Sequence, residues 1–78
     1  MAVLRLFAAA REAAGRASDT VHGGTVGEVL AEATARYGPV FASVLAASRV
    51  WLNGEPAPHE AAVADGDEVA VIPPVSGG

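Results

Sequence analysis

The sequence predicts an α+β domain in which a mixed sheet of four to five strands packs on one main helix. Three observations carry this. Apolar stretches at Ala2–Ala8, Arg49–Asn53 and Asp67–Ile72 alternate with a period of two, the stretch from Val26 to Tyr37 repeats with the helical period, and turns rich in glycine or proline separate them. With 78 residues, 51% of them hydrophobic, the chain holds one small domain with one core. A domain of this size buries a modest share of its surface, so it is expected to work bound to something larger.

Ala2 to Ala8 reads as a strand with Leu4 and Leu6 on one face and Val3, Arg5 and Phe7 on the other; the face without the charge is the core. Ala9 to Gly15 reads as a short helical turn, because alanine is the best helix former and glycine suits the C-terminal cap. Ala17 to His22 is a second strand, stopped by Gly23-Gly24. Thr25-Val26-Gly27-Glu28 predicts a capping box, in which the threonine and glutamate side chains satisfy free backbone donors reciprocally. The helix it opens runs to Tyr37. Val26, Val29, Leu30, Ala33 and Tyr37 form its apolar face, Glu32 and Arg36 pair outside it, and Gly38-Pro39 ends it.

Val40 to Ala47 is an apolar, alanine-rich stretch that reads as a loop or a short helix packed on the core. From Arg49 to Asn53, Val50 and Leu52 face one way and Arg49, Trp51 and Asn53 the other, and Asn53-Gly54 predicts a tight turn. Glu55-Pro56-Ala57-Pro58 is then an edge strand or no strand, since proline cannot donate to a ladder. After the turn at Asp65-Gly66, Asp67 to Ile72 is the last strand, with Val69 and Val71 inward. Pro73-Pro74 stops its pairing, which divides the chain into a body over residues 1–74 and a flexible arm over residues 75–78 that ends in Gly77-Gly78.

Composition removes several classes of function. The chain has no cysteine, hence no disulfide, thiolate metal site or cysteine nucleophile. It has five arginines, no lysine and nine acidic residues, a net charge of -4 without the basic stripe that nucleic acid or an anionic membrane requires. Its apolar runs are too short to span a membrane and its start lacks the apolar core of a signal peptide, so a cytoplasmic protein is expected. His22 and His59 lack partners at metal-ligand or catalytic spacing, and Asp65, Asp67 and Glu68 are explained by turn chemistry, so no metal site is predicted. Gly23-Gly24 matches no phosphate-loop pattern, and no serine has a recognisable nucleophile setting. Trp51 falls on the strand face away from the helix, as a partner surface; a register shift of one residue would place it in the core instead.

Leu6-Phe7-Ala8 with Arg11-Glu12 and Gly15, the capped helix from Thr25, Asn53-Gly54-Glu55, Asp65-Gly66-Asp67-Glu68-Val69-Ala70 and the ending Pro73-Pro74-Val75-Ser76-Gly77-Gly78 together resemble the MoaD family, the small subunit of molybdopterin synthase. The resemblance runs the length of the chain and is most specific at its end; related carriers for thiamine thiazole or cysteine synthesis share the glycine pair but usually lack the double proline. It implies a β-grasp, ubiquitin-like fold and a subunit that donates sulfur without catalytic side chains of its own. An E1-like adenylating enzyme using ATP and magnesium would activate the carboxylate of Gly78, and a persulfide sulfur donor would convert it to a thiocarboxylate. The arm, Val75, Ser76 and Gly77, would then enter the large subunit, in a heterotetramer with two such subunits, and deliver sulfur to precursor Z to form the molybdopterin dithiolene. Phe7, Trp51 and Ile72, with Pro73 and Pro74 at the root of the arm, are the expected partner-binding residues. The alternatives are a ubiquitin-like modifier conjugated through Gly78, which the same activation chemistry serves, a sulfur carrier for thiamine thiazole or cysteine synthesis, and a plain β-grasp interaction module whose glycine end is incidental.

Overall fold

In the computed structural model, which describes residues 1–74, the alternation at the start of the chain becomes strand β1 (Ala2–Leu6), which buries Ala2, Leu4 and Leu6 and turns Arg5 to solvent. The chain continues through α1 (Ala8–Ala14), β2 (Ser18–Val21), α2 (Val26–Tyr37), α3 (Pro39–Ala46), β3 (Arg49–Leu52), β4 (Glu55–Pro56) and β5 (Glu68–Ile72). The five strands form one sheet in the order β2-β1-β5-β3-β4. Strand β5 runs parallel to β1 and antiparallel to β3, and the two outer pairs are antiparallel. This mixed sheet, with its last strand at the centre and helices on one face, is the β-grasp arrangement.

Helix α2 is the main helix, with the predicted bounds and the predicted buried face of Val26, Val29, Leu30 and Ala33. Its first four backbone donors are all engaged. Val26 N–H donates to the Ala61 carbonyl (3.0 Å), Gly27 N–H to the His59 carbonyl (2.9 Å), Glu28 N–H to Thr25 Oγ1 (3.1 Å) and Val29 N–H to the Thr25 carbonyl (3.1 Å). The capping box differs from expectation in one respect: Glu28 Oε1 accepts from Gly24 N–H (2.7 Å) rather than from Thr25. Thr25 is bridged to Ala62 by the bonds on either side of it, Val26 N–H to the Ala61 carbonyl and Val63 N–H to the Gly24 carbonyl. The neighbouring Gly23 lies so close to the helix that a Cβ there would sit 2.7 Å from the Val29 nitrogen.

The structure has two more full helices than the single main helix predicted. The turn over Ala9–Gly15 is a seven-residue helix, α1, and the ambiguous stretch after Gly38 is the eight-residue α3. Pro39 suits the start of α3, where its fixed φ and missing N–H cost nothing, and Phe41, wholly buried, holds the helix on the core. Tyr37 and Phe41 meet edge-to-face with ring centroids 5.2 Å apart. The Asn53-Gly54 turn has both residues in the left-handed region, φ 50° and 85°, as a two-residue hairpin requires. No helix among the described residues is long and apolar enough to cross a membrane.

Asp19 ties the sheet edge to the end of α2. Its carboxylate accepts from the Tyr37 hydroxyl, from Arg36 Nη1 (2.7 Å) and from Thr20 N–H (2.8 Å), and Arg16 lies 3.4 Å away. The Tyr37 hydroxyl, then Arg36 and the Thr20 amide, hold its pKa down at about 2 against the opposing effect of burial. Burial, then the bond to Asp19, pushes Tyr37 up to about 12.

Two predictions follow from this packing. The depressed pKa of Asp19 makes its contribution to stability complete above about pH 4 and lost as pH falls toward 2; the raised pKa of Tyr37 makes its contribution complete below about pH 10 and lost as pH rises toward 12. Urea unfolding at a series of pH values will show both limbs, Asp19→Asn will flatten the acid one, and because Tyr37 is the only tyrosine its phenolate absorbance reports the alkaline one directly. Gly23→Ala will destabilise the fold by about 1–3 kcal/mol, read from the urea midpoint, because helix backbone occupies the space its methyl group needs.

Candidate functional site at the end of the central strand

Strand β5 is hydrogen-bonded on both sides, so the chain that leaves it at Ile72 leaves from the middle of the sheet. The outer face, opposite the helices, is set by the registers. Arg5, Ala70, Trp51 and Pro56 lie in one row across four strands. One step toward the end of β5, Phe7 continues the parallel register beside Ile72, with Arg49 on its other side. Phe7, Trp51 and Ile72 therefore share one face, as predicted.

Their exposures differ. Phe7 is 45% exposed, whereas Trp51 and Ile72 are half-buried. Phe7 is held at a corner: its N–H donates to the Val71 carbonyl (3.3 Å), and the next residue, Ala8, has φ 50°, a left-handed conformation that costs an L-residue energy. The corner turns the chain into α1 and leaves the Phe7 ring behind on the sheet face. Ala70 lies between Arg5 and Trp51 and is 8% exposed although it faces outward, because the two long neighbours cover it. At the root of the arm Pro73 is buried and Pro74 exposed, so of the two expected contact prolines Pro74 offers the surface. Val75, Ser76, Gly77 and Gly78 lie outside the described residues.

Beside this face runs an open groove of about 360 Å³ lined by Arg49, Val50, Trp51, Pro56, Ala57 and Pro58. Sequence reasoning placed Arg49 with Trp51 but did not find the groove, because Pro56 reaches Trp51 only through the hairpin register. Arg49 makes no ion pair among the described residues, whereas Arg5 on the same face lies 3.6 Å from Glu68.

The body brings little titratable chemistry to this place. Among the described residues no group of three histidine or acidic side chains is arranged to hold a metal ion, and no polar or charged side chain is buried. His22 and His59 are exposed and lie away from β5. The shifted acids stand elsewhere: Asp65 is lowered by the N-terminal ammonium, and Asp67 by the Ala64 amide and then Asn53. The geometry is that of a rigid platform from which one strand end projects.

A model of the ThiS family matches residues 4–78, a span that includes the terminal glycines. The chain belongs to the ThiS family. The family's ubiquitin-like sulfur-carrier fold recurs in the solved structures it resembles. SAMP1, small archaeal modifier protein 1, of Haloferax volcanii is 34% identical, with a TM-score of 0.87 over 99% of this chain and 98% of that one. A protein of Pyrococcus furiosus assigned as molybdopterin converting factor subunit 1 is 25% identical, with a TM-score of 0.81 over 95% and 97%. The BexX/CysO complex of Amycolatopsis orientalis contains a chain that is 25% identical, with a TM-score of 0.84 over the full length of both. Similarity within the ThiS family thus extends to proteins with different names on one fold.

The two phenylalanines separate platform from core in a test. Phe41→Ala will cost about 3–5 kcal/mol, whereas Phe7→Ala will change stability by no more than about 0.5 kcal/mol, both measured by urea unfolding.

Proposed function

We propose that this protein is the sulfur carrier subunit of a molybdopterin synthase. The observation that carries the reading is the end of β5: a strand locked between two neighbours runs into Pro73-Pro74, which the sequence follows with Val75-Ser76-Gly77-Gly78, and among the described residues there is neither a metal-holding cluster nor a buried charged side chain. Proline has no N–H to continue the ladder, so pairing stops at a fixed point and the reacting group stands beyond it.

In this reading the reacting group is the carboxylate of Gly78. An adenylating enzyme, supplying ATP and magnesium, joins it to AMP with loss of pyrophosphate; a persulfide sulfur then displaces AMP, and reductive cleavage of the resulting acyl disulfide by a thiol leaves the thiocarboxylate. The arm enters the large subunit, and its sulfur passes to precursor Z, two charged carriers serving each dithiolene. Glycine at both terminal positions keeps the arm thin enough for a narrow channel. Ordering Val75 to Gly78 in that channel costs roughly 1 to 2 kcal/mol per residue, about 4 to 8 kcal/mol in all. Contacts of the platform offset this cost, with Phe7, Trp51 and Ile72 as anchors and the groove beside Trp51 as their continuation. The CysO–BexX complex, a ThiS-type chain bound to a partner protein, supports docking of this kind.

A second reading, a modifier conjugated to other proteins through Gly78, is favoured by the 34% identity to SAMP1. Intact mass after coexpression with the adenylating enzyme separates the two. Exchange of one carboxylate oxygen for sulfur, followed by conversion of precursor Z with the large subunit, is the result expected of the carrier; covalent ladders on other proteins without thiocarboxylate would overturn it. Gly77→Leu will fold normally yet form no thiocarboxylate in the same assay. Trp51→Ala will weaken binding to the large subunit by at least about tenfold in titration calorimetry, the scale of an interface anchor.

A further inference from the structure

A five-stranded sheet has two edges, and in this protein they are protected by different means. At one edge, β4 is two residues long and carries Pro56, with Pro58 just beyond. That edge cannot offer a continuous row of donors. The other edge, β2, is four residues of Ser18-Asp19-Thr20-Val21 with no proline.

The register shows which of its backbone groups face outward. Ala2 pairs with Val21 and Leu4 with Asp19, and in the same register Leu6 N–H donates to the Ala17 carbonyl (2.8 Å). Ala17, Asp19 and Val21 therefore spend their backbone groups on β1, while Ser18 and Thr20 turn theirs away from the sheet. Thr20 is the central outward residue, and both its groups are already taken. Its N–H donates to Asp19 Oδ1 (2.8 Å), and its carbonyl accepts from Arg36 Nη1 (3.1 Å). The two blocking side chains also hold each other, Arg36 Nη1 to Asp19 Oδ2 at 2.7 Å, and are fixed by the Tyr37 hydroxyl, by Arg16 at 3.4 Å and by Glu32 at 3.7 Å. The side chains that close the edge thus come partly from the strand and partly from α2.

We propose that the Asp19–Arg36 pair is a guard on the β2 edge, and that removing it makes β2 a self-association site taking a second copy of this chain as an antiparallel strand. A second copy is the fitting occupant because the exposed edge is self-complementary. Turned about a two-fold axis through Asp19, Ser18 of one chain exchanges hydrogen bonds with Thr20 of the other, and Thr20 with Ser18. The same register sets the two Asp19 residues directly opposite each other, so their like charges oppose the pairing until both carboxylates are gone. Asp19 therefore guards the edge twice, by occupying the Thr20 donor and by repelling its copy.

Sedimentation of the full chain tests this. The wild type will sediment as a monomer, and Asp19→Ala will sediment as a dimer at concentrations at least about tenfold below any wild-type association. Adding Thr20→Pro to Asp19→Ala will restore the monomer, because the outward N–H it deletes serves no bond to β1. Asp19→Cys, the only thiol in a chain without cysteine, will form an intermolecular disulfide on mild oxidation, since facing residues at a non-hydrogen-bonded position lie about 4.5 Å apart at Cα. If circular dichroism shows that Asp19→Ala does not fold, Asp19→Thr, which also removes the carboxylate but keeps a β-branched strand residue and a hydroxyl beside Tyr37, will show a dimer in its place. A folded variant that stays monomeric at every concentration, or a dimer that Thr20→Pro does not dissolve, overturns the proposal.

Discussion

The sheet of this protein consists of two antiparallel pairs that share no hydrogen bond with each other, β1 with β2 and β3 with β4, and it is one sheet only because β5 lies between them. That strand is also the last. The inner face cannot close until nearly the whole chain has been placed, because Val69 and Val71, both wholly buried, complete the layer started by Leu4 and Leu6. Long-range pairing of this kind sets a loop-closure cost that the core must offset in one cooperative step. The exit point of the chain from the sheet, at Ile72, is fixed by the same step.

Delivering β5 to the centre requires the chain to cross from the β4 edge back under the sheet without a helix or strand of its own. Residues 57–64 do this by pairing with the start of α2: the carbonyls of His59 and Ala61 receive its first two free amides, Ala62 bridges Thr25, and Val63 N–H returns a bond to the Gly24 carbonyl at 3.0 Å. Donors that a helix usually leaves to water or to a ligand are here used as fold contacts. This explains why an apparently featureless connector is held firmly; glycine is needed at position 23 for the neighbouring reason that the backbone of α2 fills the space a Cβ would take, and at position 27 because a Cβ would press on His59 of the connector at 3.3 Å.

Much of this was legible beforehand, where the relevant physics is local. The bounds of α2 are written in Thr25, Glu28, Gly38 and Pro39, and the inward sets of β1, β3 and β5 in plain alternation. Less legible was whatever depends on a distant partner. Residues 39–46 form a helix because Phe41 finds a place against Tyr37 and the core, which composition alone does not announce. The groove beside Trp51 exists because the hairpin register sets Pro56 opposite it. Nothing in the strand expected over Ala17 to His22 singles out Asp19, since Arg36 and Tyr37, its decisive partners, are 17 and 18 residues away in sequence.

The left-and-right pairing of β5 has a mechanical meaning as well. A pull on the chain beyond Pro74 acts along the strand, across ladders to β1 and β3 together, so the load falls on two rows of hydrogen bonds in shear instead of opening one row bond by bond. Had the arm been attached to an edge such as β2 or β4, the same tension would have peeled the sheet from its rim. Where the chain leaves the sheet at Ile72, it is thus gripped at the point that best resists tearing.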